Sequence, residues 1–582
     1  MNKVNNDKFM ILNVISSKTI NTQRDLVRET GFSLGKINKL LVELKKDGFI
    51  EKDMNLTIKA KKYYEKERTQ RAIILAAGYG MRMVPINTEE PKGLLKINKE
   101  PLIERLIKQL HEVGIKEIYV VVGFMKEHYE YLIDRYSVKL IINPRYEDYK
   151  NMYSLFLAKE YLLNSYIVPC DVWFKENPFS SVEADSYYLF SNEKVRNSKW
   201  KVQPRGRVKK VSSGTLGDRM VGLAFIDREV GETFKRLLNK AIKDSYIFHN
   251  FWEEILEQNK KFILKGKLIS SDDFKEINSY EELRDLDFNS SHLQSDSIKI
   301  IENILKTDLN GINNIKVLKK GMTNRSFFFE HNNDKYIMRI PGKGTDELIN
   351  RRDEFETYEA IKDLEWTENI LYLNPNNGYK LSKFIKNAKN CNPNDLQQVA
   401  KCMDLLRKFH SSNIKVNHCF NLYKQINFYE DLRNGQSAYR DYNTVKKRVF
   451  KLRPFIEKNV KKKVLCHIDA NPDNFIFSKN HLYLIDWEYA GMQDPDIDIA
   501  MFAIYAMYDQ QKIDKLIQLY YHNQCDSLTK QKIYAYIAAC GLLWSNWCEY
   551  KQSLGLDFGA YSIAQYRYAK EYSKKVLNYL GE

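Results

Sequence analysis

The chain has 582 residues, 43% of them hydrophobic and 13% aromatic, and a formal net charge of +17. That length exceeds what one hydrophobic core sustains and predicts three or four domains. No run approaches the roughly 20 apolar residues of a membrane span, and the short apolar run near the N-terminus leads into a helical pattern rather than a signal peptide, so a cytoplasmic protein is predicted. Eight cysteines with no CxxC pair predict free thiols in a reducing compartment. The positive balance suits nucleotides and other anions as well as nucleic acid.

Residues 1–68 read as helical and polar. Between Thr22 and Leu44, Gly31 falls at a turn, Ser33 is placed to cap a second helix, and Ile37, Leu40, Leu41 and Leu44 give that helix a buried stripe. Asp47-Gly48-Phe49-Ile50 opens like a small wing. The segment resembles the winged-helix domains of bacterial regulators. The resemblance implies DNA contact through Lys36, Asn38, Lys39 and the lysines near 45 and 59–62; packing against neighbouring domains is the plainer alternative.

Arg71-Ala-Ile-Ile-Leu-Ala begins a buried strand, and the runs from Glu117, Lys139 and Tyr166 alternate with helical ones, which predicts a largely parallel α/β sheet. The first strand leads into Leu75-Ala76-Ala77-Gly78-Tyr79-Gly80-Met81-Arg82, then Pro91-Lys92. Such a turn presents backbone N–H groups to phosphates, and Gly78 and Gly80 allow close approach. Arg82 suits the β/γ-phosphates and Lys92 the charge developing on an α-phosphoryl group. Over 70–286 the chain resembles the nucleotidyltransferases that activate sugar phosphates and phosphocholine, which implies a Rossmann-like fold. Asn143 to Ser154 is similar to the segment lining the nucleotide pocket of CTP:phosphocholine cytidylyltransferases, which implies nucleotide contacts from Ala77, Asn151 and Ser154 and a Mg²⁺ ligand at Asp171. Where related enzymes carry Glu-Ile-Asp, this chain has Glu276-Ile277-Asn278; a neutral carbonyl, or Glu276, Asp272 or Asp273, then has to serve as the second ligand. Trp252 and Glu253 offer an aromatic face and a carboxylate to a cationic head group, against the alternative of a core tryptophan.

Residues 287–297 read as a linker, and the pattern restarts at 296 with strands first and long helices later. His467-Ile468-Asp469 with Asn474 places on one loop an aspartate to orient a hydroxyl and an asparagine for Mg²⁺, and a strand then ends in Asp486 as the charged ligand. Upstream, Lys320-Gly321-Met322-Thr323-Asn324 reads as a turn over ATP phosphates, and Arg339 as the base that pairs with them. Of Glu354 and Glu356, Glu356 is the preferred partner of Arg339. These motifs, with Ile485-Asp486-Trp487-Glu488-Tyr489-Ala490, resemble bacterial choline kinases, which implies a protein-kinase-like fold over 296–582. Within Gly541-Leu-Leu-Trp-Ser, Trp544 matches a choline-facing tryptophan, Trp547 is one turn on, and Glu488 is the carboxylate expected near the substrate.

The expectation is a multidomain α/β and α+β enzyme: winged helix, Rossmann-like nucleotidyltransferase and kinase-like domain. The resemblances imply that it phosphorylates choline with MgATP and couples phosphocholine to CTP, giving CDP-choline and pyrophosphate. The alternatives are the same chemistries on ethanolamine or another amino alcohol, or a DNA-binding regulator sensing choline metabolites.

Overall fold

A computed structural model describes residues 6–582 except 18, 19, 21, 52, 87–89, 147, 148, 213, 243–248, 259, 260, 319–323, 343–347, 434, 480 and 554–557. The chain forms two compact units, Met1–Ser295 and Asp296–Glu582. The expected phosphate-covering turn at 320–323 lies outside the described residues.

The first unit opens with helices Asn6–Ser17, Gln23–Thr30, Leu34–Lys46 and Ile58–Glu67. Thr22 and Asp25 cap the second reciprocally, and Gly31 ends it at φ 68°, a conformation that costs glycine least. Ser33 Oγ accepts the Lys36 N–H at 3.3 Å. Ile37, Leu40, Leu41 and Leu44 close a small core with Leu12, Leu26 and Phe49, against which Val182 and Ala184 of the next segment pack. A bridge between Ile50 and Leu56 stands where a wing was expected. Lys36 is paired with Asp7 at 2.9 Å, while Asn38 and Lys39 are exposed.

A seven-stranded sheet follows. Its strands in chain order are β1 (Arg71–Ala76), β2 (Glu117–Val122), β3 (Lys139–Ile142), β4 (Ser165–Pro169), β5 (Tyr187–Val195), β6 (Gly217–Ile226) and β7 (Lys265–Ile269). The spatial order is β7-β5-β6-β4-β1-β2-β3. Strands β4, β1, β2 and β3 are parallel, as expected, whereas β6 runs antiparallel to both β4 and β5. Alternate residues of each strand enter opposite layers: Ile74, Val120 and Val168 pack with Leu106 and Leu110, and Ile73, Val121 and Ile167 with Leu155 and Phe234. The stretch read as a linker is tied down through most of its length. Asn98 N–H donates to Asp287 at 2.7 Å, Ser290 Oγ to the Lys96 carbonyl at 3.0 Å, and Tyr280 OH to the Leu293 carbonyl at 2.7 Å. Its polar side chains satisfy backbone groups instead of solvating a free loop.

The second unit carries a five-stranded antiparallel sheet of β8 (Asn313–Val317), β9 (Asn324–His331), β10 (Asp334–Pro341), β11 (Ile370–Leu373) and β12 (Lys380–Lys383), in the order β8-β9-β10-β12-β11. Helix Arg351–Ile361 follows β10. The rest is mainly helical, and its core gathers Leu406, Val449, Phe502, Leu542 and Val576. No helix among the described residues is long and apolar enough to cross a membrane, and all eight cysteines are unpaired.

Candidate active sites

In the first unit, β1 delivers the Ala77–Arg82 turn to the edge where its parallel neighbours end. Gly80 takes φ 63°, and a Cβ on Gly78 would meet nothing within 4 Å, so the turn leaves room above its backbone. Ala77 is buried, and its carbonyl accepts the Phe124 N–H at 3.1 Å. Asp171 follows β4. Residues Phe274–Glu276 pair antiparallel with Val172–Phe174, and Ile277 N–H donates to the Asp171 carbonyl at 3.0 Å. That register brings Asn278 beside Asp171. Lys92 Nζ bonds to the Asp171 carboxylate and to Asn278 Oδ1 at 2.9 Å, and Arg82 donates to the same Oδ1 at 2.9 Å. Two cations and one carboxylate thus converge on a neutral carbonyl, an arrangement able to receive a triphosphate. Glu276, weighed as a substitute ligand, is instead paired with Arg219 at 3.0 Å.

Asn143 donates to Ser154 Oγ at 3.0 Å and accepts the Arg145 N–H at 2.9 Å, which fixes the 143–154 segment. Asn151 begins a short helix, and its Oδ1 accepts the Trp252 N–H at 2.9 Å. Trp252 itself departs from expectation: it is 1% exposed and packs between Tyr188 and Phe234, so it is a core residue rather than a wall of the site. Glu253 turns inward with it, accepts from Tyr188 OH at 3.3 Å, and is pushed by burial up to about 7.

In the second unit, the loop after strand Val464–Cys466 carries the site. Asp498 anchors its backbone, accepting from the N–H groups of His467 at 2.8 Å and Ile468 at 2.7 Å. Ile468 is held at φ 67°, a strained conformation for a β-branched residue. His467 is buried and bonded through Nε2 to the Ile485 carbonyl at 2.9 Å; burial keeps it below its usual pKa and hence neutral. The Asp469 carboxylate accepts from Tyr505 OH at 2.5 Å and from Asn474 Nδ2 at 3.0 Å. Burial pushes Asp469 up to about 7 against these two hydrogen bonds. Asn474 spends its amide N–H on Asp469, which leaves its carbonyl oxygen for a cation. Asp486, at φ 69°, lies two residues past the end of the adjacent strand His481–Leu484, which stops sooner than the sequence pattern suggests. This donor set of hard oxygens fits Mg²⁺; in the first unit only the Asp171 carboxylate offers such a donor, since the Asn278 carbonyl is taken by Lys92 and Arg82.

Arg339 pairs with Glu354, not Glu356: its two Nη atoms donate at 2.6 and 2.9 Å. Glu356 faces the other way, accepting the Asn417 N–H at 2.6 Å. Against burial, Arg339 holds Glu354 below the usual carboxylate range. Arg339 also donates to the Gly378 carbonyl at 3.0 Å; Gly378 sits at φ 69°, and a Cβ there would come within 2.6 Å of Arg351 Nε, so glycine is required. Glu488 belongs to this cluster rather than to the aromatic one: it accepts from Asn324 at 3.0 Å and lies 3.6 Å from Arg339 and 3.8 Å from Arg351.

Trp544 is 6% exposed, donates to Met501 Sδ, and meets Tyr505 at 5.3 Å and Tyr489 at 6.1 Å between ring centroids. Trp547 stands behind it at 5.5 Å, 3% exposed, against Phe558. Tyr505 and Asp498 were missed by sequence reasoning and left no signal; Arg351 left one, as half of the basic pair Arg351-Arg352, three residues before Glu354 on one helix face.

Residues 72–179 match a family model described as MobA-like NTP transferase domain, and residues 315–540 one described as choline/ethanolamine kinase. The choline-phosphate cytidylyltransferase of Streptococcus pneumoniae is 32% identical over 221 residues, 37% of this chain and 96% of that protein. The 2-aminoethylphosphonate cytidylyltransferase of Lancefieldella rimae is 28% identical over 224 residues, 37% of this chain and 91% of that protein. A crystal structure of choline kinase LicA from Streptococcus pneumoniae is 30% identical and covers 48% of this chain and 100% of that one, with a TM-score of 0.43.

Proposed function

Since the chain belongs to the choline-phosphate cytidylyltransferases over its central segment and to the choline/ethanolamine kinases over its C-terminal one, we propose that one polypeptide makes phosphocholine and then activates it as CDP-choline. The observation that carries this reading is that both sites keep their charged machinery: Lys92, Arg82 and Asp171 in one unit, Asp469, Asn474, Asp486 and the Arg339–Glu354 pair in the other. The product of the second unit is the substrate of the first.

In the kinase site, the Asp469 carboxylate orients the choline hydroxyl and takes its proton as the oxygen attacks the γ-phosphorus of ATP. Arg339, locked by Glu354, neutralises the phosphates, and Asn474 and Asp486 would hold Mg²⁺. When bound, that ion would neutralise the negative charge on the phosphates during transfer. The aromatic faces of Trp544, Tyr489 and Tyr505 suit a quaternary ammonium, which donates no hydrogen bond. Glu488 lies with Asn324, Arg339 and Arg351 rather than in the aromatic cluster, so the preference for choline over ethanolamine rests on the aromatic faces.

In the transferase site, a phosphate oxygen of phosphocholine attacks the α-phosphorus of CTP and pyrophosphate leaves. Lys92 and Arg82 stabilise the charge that develops. Asp171 would hold Mg²⁺ together with phosphate oxygens. A cytoplasmic setting, where both nucleotides are available and thiols stay reduced, suits these activities. A substrate panel tests the reading: ADP release with choline against ethanolamine, and pyrophosphate release from CTP or UTP with phosphocholine, phosphoethanolamine or 2-aminoethylphosphonate. Choline with ATP and phosphocholine with CTP are expected to be fastest; a faster amino alcohol or phosphonate would overturn the assignment.

A further inference from the structure

We propose that Tyr505 is a positioning residue of the phosphotransferase site: its hydroxyl holds the Asp469 carboxylate in one orientation, and its ring forms a wall of the seat for the substrate's ammonium group. The proposal rests on the choline kinase reading above.

The geometry of one helix carries it. Asp498 and Tyr505 lie seven residues apart on helix Asp496–Tyr505, two turns along the same face. Asp498 grips the backbone of the loop at His467 and Ile468, and Tyr505 grips the side chain of the next residue, Asp469, at 2.5 Å. The Asn474 amide holds the other carboxylate oxygen at 3.0 Å, so rotation of the carboxylate about its own axis is blocked from both sides. Every residue from Asp496 to Ile504 is buried, whereas Tyr505 is only half-buried, so the ring reaches the helix end where the core opens. There it meets Trp544 at 5.3 Å and stacks with Tyr561 at 6.4 Å. Tyr505 therefore touches the group that handles the hydroxyl and the aromatic surface suited to the cation. In an amino alcohol those two ends are separated by two carbons. A side chain bonded to one and packed on the other sets the distance between them, and phosphoryl transfer depends on such alignment.

Two substitutions separate the hydroxyl from the ring. In Tyr505→Phe the ring and its packing remain. The kcat for choline is expected to fall by roughly 10-fold or more, the scale of a hydrogen bond to a charged group, with the KM for choline within about twofold of the parent. In Tyr505→Leu the same fall in kcat is expected together with a rise of roughly 10-fold in the KM for choline, from loss of an aromatic face. The KM for ATP is expected to hold in both. A Tyr505→Phe protein with unchanged kcat, or one in which the KM values for ATP and choline rise together, overturns the proposal. If Tyr505→Leu fails to fold, the phenylalanine variant decides alone. The parent enzyme distinguishes the two levels of the argument: failure to phosphorylate choline at all sinks the functional reading, while an active parent with an indifferent Tyr505→Phe sinks only the role of Tyr505.

Discussion

Replacing Glu253 by glutamine tests the structure of the transferase unit through pH. The carboxyl turns inward beside Trp252, within reach of Tyr188 OH at 3.3 Å, and burial raises it from 4.5 to about 7. A carboxyl whose folded pKa lies above its unfolded one binds more protons in the fold. Its contribution is therefore fully present below about pH 4.5 and is lost as pH rises through about 7. The interval corresponds to about 3 kcal/mol, a ceiling because the side chain keeps some contact with solvent. Glutamine keeps the shape and an acceptor for Tyr188 without a charge to bury. Glu253→Gln is expected to stabilise the first unit by up to about 3 kcal/mol at pH 8 and to change little at pH 5. The assay is hydrogen exchange along a urea series, followed in peptides from strand β6 so that the second unit does not contribute. The KM for phosphocholine should stay put, since Glu253 faces the core. Equal effects at both pH values would refute the linkage, and a large rise in that KM would return Glu253 to the substrate site.

Asp469→Ala is expected to abolish choline phosphorylation while leaving cytidylyl transfer from supplied phosphocholine intact, measured by ADP and pyrophosphate release on one preparation. Lys92→Ala should do the converse, slowing the transferase by roughly 100-fold or more, the scale of losing one transition-state donor; near-normal rates would misplace that site. Glu354→Gln removes the bidentate counter-charge of Arg339 and leaves only Glu488, at 3.6 Å, to balance two buried arginines; it should cost up to about 3–5 kcal/mol in stability of the second unit as well as ATP affinity, whereas Glu356→Gln should leave ATP binding unchanged. Trp544→Ala should raise the KM for choline by roughly 30-fold through loss of a desolvated cation–π contact, with the KM for ATP steady.

The residues that could be read from the sequence are those whose partners are close in the chain. Asp469 and Asn474 share one loop, with Asp486 at the end of the next hairpin, so their spacing alone reports the chemistry. The turn from Gly78 to Arg82 is similarly local, since a buried strand must hand the chain to a phosphate-facing loop. The residues misassigned are those whose role depends on how an element is rotated or which distant strand it meets. Glu354 and Glu356 lie about 200° apart around one helix, and only the docking of that helix on β10 decides which carboxylate meets Arg339. The pairing of Arg351 with Glu354 at 3.0 Å already marks the buried face, and it is the one clue to that docking that a sequence contains. Glu488 sits next to Asp486 in a recognisable motif, yet its neighbours Asn324, Arg339 and Arg351 come from over 130 positions away, so the motif revealed its location and not its partners. Asn278 shows the opposite case. Its place follows from a local pattern, but the pairing of Phe274–Glu276 with Val172–Phe174 is what turns an apparent defect in a metal site into an acceptor shared by Lys92 and Arg82. A neutral acceptor there holds both cations without cancelling their charge, and the pair remains available to the triphosphate, which a carboxylate in the same place would have to compete with.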